Sequence, residues 1–220
     1  AYGADGCQIT LEVAEKVLDK IEKVDLFHDV KLTDFDEAVK AGSIEYISAE
    51  ITEQFLNHVL ACQIHPGICR DAGLKVVYTP LNGTGNKPVR EALKRIGVKD
   101  ISVVKEQEKP DGNFTTCPFP NPEIAEALDL GLKLAAEKQA DLLLATDPDC
   151  DRVGIAVPEE NGFRLVTGNE TGALLLDYIC SQRTALGTMP QRPVTVKTIV
   201  TTEIIDKIAQ KYGVAVINVL

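Results

Sequence analysis

From residue 74 onward, short apolar runs alternate with amphipathic stretches, and that order excludes most folds. Leu74–Thr79 reads as a strand, Pro80–Gly85 as a turn, Lys87–Ile96 as a helix and Ile101–Lys105 as a second strand. A Pro-rich loop, Lys109–Pro122, leads to a long helix, Glu123–Lys138, capped by Asn121 with Pro122 in its first turn. Asp141–Ala145 is a third strand. Strands separated by helices return parallel through right-handed crossovers, so the fold class is α/β. Two further strands, Arg152–Val157 and Phe163–Val166, flank the hairpin turn Glu159-Glu160-Asn161-Gly162 and make the sheet mixed.

After Gly168 the pattern restarts: a helix over Glu170–Ala185, a strand over Val194–Val200, a helix capped by Thr201 or Thr202 and running to Lys211, and a strand over Val214–Val219. Before residue 74 the signals differ. Leu11, Ala14, Val17, Leu18 and Ile21 recur at three and four, which predicts an amphipathic helix over Leu11–Val24 with Thr10 as cap. An acidic connector around Asp34–Glu45 carries a short helix, and a second helix runs from Ser48 to about Ile64, closed by Pro66-Gly67.

The chemistry gathers at Asp147-Pro148-Asp149-Cys150-Asp151-Arg152, directly after the third apolar strand. Open α/β sheets place their ligands at such carboxyl ends. In a flat strand, alternate side chains on one face stand about 7 Å apart, too far to share an ion. A curled loop brings them together, and Pro148 favours one by fixing its own φ and biasing Asp147 away from the helical region. Like charges 4 Å apart repel by roughly 1 kcal/mol even in water, and a hard divalent cation with oxygen ligands removes that repulsion. The expected cofactor is Mg²⁺, held by Asp147, Asp149 and Asp151. An EF-hand is excluded, because its Gly at loop position 6 and Glu at position 12 are here Arg152 and Pro158. His58, Cys62, His65 and Cys69 are spaced as zinc ligands, but Pro66-Gly67 breaks the helix before Cys69. Cys150, a soft thiol, is a poor magnesium ligand and is read as filler.

A formal net charge of −10 excludes a nucleic-acid partner or a bulk anionic membrane surface. Residues 168–220 carry five basic and four acidic side chains, so the acidity lies before them. A phosphorylated substrate therefore needs local cations rather than a general field. Six cysteines without framework spacing, no spanning run and no signal sequence give the expectation of a soluble, cytoplasmic protein. The absence of Met at position 1 and a last strand reaching Leu220 are read as marks of a piece of a longer protein.

With Arg152 and the following Val153-Gly154-Ile155, the acidic run resembles the metal loop of the α-D-phosphohexomutases, the phosphoglucomutase and phosphomannomutase family. Thr79-Pro80-Leu81-Asn82-Gly83-Thr84-Gly85 resembles the family's first strand-to-helix turn, although a Gly-rich turn alone reads as turn geometry. Pro110-Asp111-Gly112-Asn113-Phe114 and Pro118–Glu123 resemble its loop before the long helix, Thr167-Gly168-Asn169-Glu170 a domain junction, and Val196-Lys197-Thr198 a strand end whose lysine faces substrate.

The resemblance implies a three-layer α/β/α domain with a mixed, mostly parallel sheet, plus partial flanking domains. Residues 1–45 would be the tail of a first domain with its linker, 46–167 a complete second domain carrying the metal loop, and 168–220 the start of a third. It implies a Mg-dependent enzyme interconverting hexose 1-phosphate and hexose 6-phosphate through a bisphosphate, glucose being favoured over mannose. The phosphoserine would lie upstream of Ala1, leaving this chain inactive alone. Arg152 and Lys197 are the expected catalytic residues: Arg152 binds phosphoryl oxygen or braces the loop, and Lys197 faces the substrate. Two other readings are an independent haloacid-dehalogenase-like phosphatase or phosphotransferase with Asp147 as nucleophile, and a metal-binding module without catalysis.

Overall fold

The structure, a computed structural model, describes residues 1–220. The chain divides into two compact units, residues 1–49 and 50–220. In the first, α1 spans Leu11–Ile21 and α2 spans Phe35–Lys40. Thr10 occupies the N-cap of α1 in extended geometry, but its hydroxyl makes no capping bond, whereas the Asp34 carboxylate accepts the Glu37 N–H and starts α2. α1 ends three residues before the expected Val24.

The second unit begins within α3, Ala49–Ala61, followed by a short helix α4, Ile68–Ala72. α4 follows Gly67 at φ 94°, a conformation suited to glycine, so the expected break at Pro66-Gly67 is followed by a new turn of helix. Then come β1 (Lys75–Thr79), α5 (Asn86–Ile96), β2 (Asp100–Val103), a 3₁₀ turn over Lys105–Gln107, α6 (Ala125–Lys138), β3 (Leu142–Thr146), β4 (Val153–Glu159) and β5 (Gly162–Val166). These strands form one sheet in the order β2-β1-β3-β4-β5. β1 pairs parallel with β2 and β3, while β4 is antiparallel to both its neighbours. Only β4 thus runs against the rest, which makes the sheet mixed and mostly parallel. Thr146 pairs with Val153, so six residues, Asp147–Arg152, bridge two hydrogen-bonded strands.

Parallel strands bury both faces, and β1 shows it: Val76, Val77, Tyr78 and Thr79 are all buried. α6 covers one face, where Leu128 and Ala135 pack with Val77, Leu143, Ala145 and Ala156. Gly131 permits the approach, since a Cβ there would stand 2.9 Å from Leu143 Cδ1. Leu143 is fully buried, so Leu143→Ala is expected to cost about 2–5 kcal/mol, read as a drop in the urea midpoint. A loss under about 0.5 kcal/mol would mean that this cluster is not the core.

α6 starts at Ala125, two residues after the expected Glu123. The Asn121 side chain does accept a backbone N–H, from Glu123, but the bond shapes a turn before the helix rather than its cap. A second sheet, β6 (Val194–Thr198) parallel to β7 (Ala215–Val219), packs with α7 (Gly168–Ala185) and α8 (Ile204–Tyr212) around Cys180, Ala209 and Val214. A reciprocal capping box between Thr167 and Glu170 opens α7. α8 begins at Ile204 with Glu203 at its N-cap, so neither Thr201 nor Thr202 holds the cap position. No helix is long and apolar enough to cross a membrane.

Candidate metal centre

The strand β3 delivers Asp147 to the carboxyl end of the sheet, and the chain turns there at once. Cys150 N–H donates to the Asp147 carbonyl at 3.0 Å, closing a turn through Pro148 and Asp149. Cys150 itself sits at φ 63°, unusual for a residue with a Cβ. This curl brings carboxylate oxygens of Asp147, Asp149 and Asp151 within 4.8 Å of one another. Asp147 is buried, the other two exposed.

Asp147 is anchored from behind. Its Oδ1 accepts the N–H groups of Asp151 (3.1 Å) and Arg152 (3.0 Å), and its Oδ2 accepts Arg152 Nε at 2.9 Å. A carboxylate offers about four lone-pair sites, so three donors leave one unfilled on Oδ2. Burial pushes the Asp147 carboxyl up, but the Arg152 backbone and side-chain donors with Asp151 outweigh it and hold it below its ordinary value. Asp151 is raised, first by its hydrogen bond with Asp147 and then by the charges of Asp149 and Asp147. That repulsion is what a cation relieves. The donor set is all carboxylate oxygen, which suits a hard ion, and the group can bind one. The Cys150 Sγ lies instead against Gly85, where a glycine Cβ would approach it to 2.8 Å.

Arg152 uses Nε on Asp147, with Asp151 at 3.7 Å, and its two terminal nitrogens have no protein acceptor. Lys197 is placed differently. On β6, its side chain is 9% exposed and its ammonium pairs with Asp206 of α8 at 2.5 Å. His65 Nε2 contacts Gln182 of α7 at 2.9 Å, far along the chain, and Cys62 Sγ donates to the His58 carbonyl.

The glycine-rich turn after β1, readable in the sequence only as turn geometry, is a second wall of the site. Leu81 and Asn82 both have positive φ (45° and 62°), and Gly83 N–H donates to the Pro80 carbonyl, the signature of a type I′ turn. Such a conformation is costly for leucine and is held from several sides. Leu81 is buried with Cys117 and Ala127, and its N–H donates to the Thr79 hydroxyl. That hydroxyl donates in turn to the buried Gln107 side chain. Asn82 reaches the carbonyls of Gln107, Glu106 and Lys109. Thr84 then donates twice to the Pro148 carbonyl, from its N–H (2.8 Å) and its hydroxyl (3.1 Å). Gly83 and Gly85 lie so close to the loop that a Cβ on either would overlap it. On the far side Pro122 abuts Gly154.

A family model described as phosphoglucomutase/phosphomannomutase, alpha/beta/alpha domain II, matches residues 53–162, half of the chain and all of the aspartate loop. A phosphoglucomutase of Staphylococcus saprophyticus is 34% identical over the whole chain, which covers 39% of that protein. A phosphomannomutase of Mycoplasmoides pirum is 31% identical over 96% of the chain and 37% of its own length. The chain thus spans under two fifths of these curated relatives. In structure, a phosphoglucomutase/phosphomannomutase family protein from Burkholderia thailandensis shares the fold over 83% of the chain and 37% of its own, with a TM-score of 0.58 at 17% identity. With sheet, aspartate loop and domain model falling on the same residues, the chain belongs to the phosphoglucomutase/phosphomannomutase family.

Proposed function

We propose that this chain forms the metal-binding part of a phosphohexomutase that interconverts hexose 1-phosphate and hexose 6-phosphate, glucose being the preferred sugar. The supporting observation is the convergence of Asp147, Asp149 and Asp151 beside an arginine whose terminal nitrogens are free. Asp147, Asp149 and Asp151 would hold Mg²⁺, which when bound acts as a Lewis acid on phosphoryl oxygen. Arg152, planar, always charged and anchored through Nε, presents its terminal N–H groups to a phosphoryl oxygen. Phosphoryl transfer demands positioning and charge neutralisation more than covalent help from the protein, and these are what the carboxylates and Arg152 can supply.

A phosphoserine outside these 220 residues would give its phosphoryl group to the sugar, and the bisphosphate so formed would turn over and return its other phosphate to that serine, so these residues alone are inactive. The domain reading follows: 1–45 from a first domain, 46–167 the second, 168–220 from a third. Lys197 would meet substrate only by exchanging Asp206 for a phosphate or hydroxyl, so its role is to bind rather than to transfer a proton. Glucose is favoured because several of the curated relatives carry the name phosphoglucomutase. Six free cysteines suit a reducing cytoplasm, the compartment we assign. The phosphatase reading is disfavoured: Asp147 is buried and held in place by three donors, two on Oδ1 and one on Oδ2, an anchoring that suits a fixed ligand better than a nucleophile that must move onto phosphorus.

In the full-length protein carrying this chain, Asp149→Ala should lower the glucose 1-phosphate to glucose 6-phosphate rate by more than about 100-fold while leaving the melting temperature of the metal-free protein unchanged, as expected when a ligand rather than a scaffold residue is lost. Retained turnover would overturn the assigned role. Release of inorganic phosphate without isomerisation would replace the mutase by the phosphatase.

A further inference from the structure

Beneath the aspartate loop lies a small polar knot in otherwise apolar surroundings. Tyr78, next to the carboxyl end of β1, is fully buried, and its hydroxyl meets Thr146 Oγ1 at 2.8 Å. Tyr78 is in register with Leu144, so Thr146 stands two residues further along β3 on the same face, within diagonal reach of an aromatic side chain. Thr146 is buried too and immediately precedes Asp147. Gly85, just before α5, closes the knot: a Cβ there would fall 2.7 Å from both the Thr146 and Tyr78 hydroxyl oxygens and 2.8 Å from Cys150 Sγ. Four segments of the chain therefore converge with no room to spare. Burial pushes the Tyr78 phenol up to about 12, so the hydroxyl keeps its proton and the bond joins neutral groups at ordinary pH.

We propose that Tyr78, acting through Thr146, is a positioning residue that sets the size of cation the aspartate loop accepts, favouring a small octahedral ion over Ca²⁺. The inference rests on the reading of Asp147, Asp149 and Asp151 as a cation site. Mg²⁺ requires oxygens at about 2.0–2.1 Å in near-ideal octahedral geometry, whereas Ca²⁺ takes them at about 2.3–2.6 Å in flexible arrangements. A loop free to breathe serves the larger ion at least as well. This loop is pinned at its base by Thr146, at Pro148 by Thr84 and at Cys150 by contact with Gly85. The Tyr78–Thr146 bond fixes the point from which Asp147 departs, and with it the spacing to Asp149 and Asp151.

The test is calorimetric titration of the full-length protein carrying this chain with MgCl₂ and, separately, CaCl₂, for the unaltered protein, Tyr78→Phe, Thr146→Val, Thr146→Ser and the Tyr78→Phe/Thr146→Val pair, with melting curves alongside. Tyr78→Phe and Thr146→Val should each weaken Mg²⁺ binding about tenfold, at the low end for loss of support behind a ligand, with Ca²⁺ within about twofold. The pair should be no worse than either single change, because both remove one bond. Thr146→Ser, which keeps the hydroxyl, should restore Mg²⁺ affinity, and this comparison stands even if Tyr78→Phe folds poorly. Parallel losses for both ions, or unchanged Mg²⁺ affinity in Thr146→Val, would overturn the inference while leaving the cation site intact. Absence of binding by the unaltered protein would overturn the cation site itself and the inference with it.

Discussion

Gly154→Ala is expected to destabilise the second unit by about 3 kcal/mol, the upper end for overpacking. A Cβ on Gly154 would sit 2.0 Å from the Pro122 carbonyl oxygen and 2.9 Å from Pro122 Cβ. Neither partner yields easily. Gly154 is hydrogen-bonded within β4 opposite Ala145, in the middle of the β3–β4 ladder. Pro122 is fully buried, its φ fixed by the ring, and the turn around it is tied by Asn121 and Glu123. Relief requires either β4 to part from β3 or the loop before α6 to lift, exposing Cys117 and Leu81. Urea unfolding measures the outcome, and a change below about 0.5 kcal/mol would show that the loop moves at little cost.

Gly83→Ala should act on the site more than on the fold. Its Cβ would stand 2.4 Å from Pro148 Cα and 2.6 Å from the Pro148 carbonyl oxygen, so Pro148 must retreat and carry Asp149 with it. Gly83 is not at positive φ, and the substitution brings no backbone strain of its own. Cation affinity should fall about 10–100-fold, the range for losing support behind metal ligands, with a smaller effect on stability. The chain has no tryptophan, so calorimetry is the suitable readout. Gly112→Ala, where a Cβ would meet nothing within 4 Å, is the matched control and should change neither quantity. Equal affinities for Gly83→Ala and the control would remove the turn from the site.

The strands were legible because burial on both faces writes itself as an apolar run between breakers, as at Leu74–Thr79 and Asp141–Ala145. The acidic loop was legible because Pro148 and the alternate spacing of Asp147, Asp149 and Asp151 already pointed to a curl, and the three carboxylates do come within 4.8 Å of one another. What stayed hidden depends on partners far along the chain. Gly83, Thr84 and Gly85 look like turn residues until Pro148, and for Gly85 Thr146 and Cys150, all more than sixty positions away, are seen against them. Asn121 and Pro122 carry a good local cap signal, but contact with Gly154 holds the loop and the helix begins later. The buried Gln107 lies in the polar stretch Lys105-Glu106-Gln107, whose composition says loop, while its burial comes from Thr79 and Asn82. Lys197 is nine residues from Asp206, and no local pattern announces their pairing.

The pairing of Thr146 with Val153 holds both ends of the aspartate loop in the sheet. Three negative groups are thereby confined in the folded chain, whereas an unfolded chain lets them drift apart. Folding and cation concentration are then linked through mass action: an ion that binds only the closed loop shifts the folding equilibrium by RT ln(1 + [L]/Kd), about 2.7 kcal/mol at a hundredfold excess over Kd. The lifetime of the domain against heat or proteolysis would rise and fall with the supply of the ion.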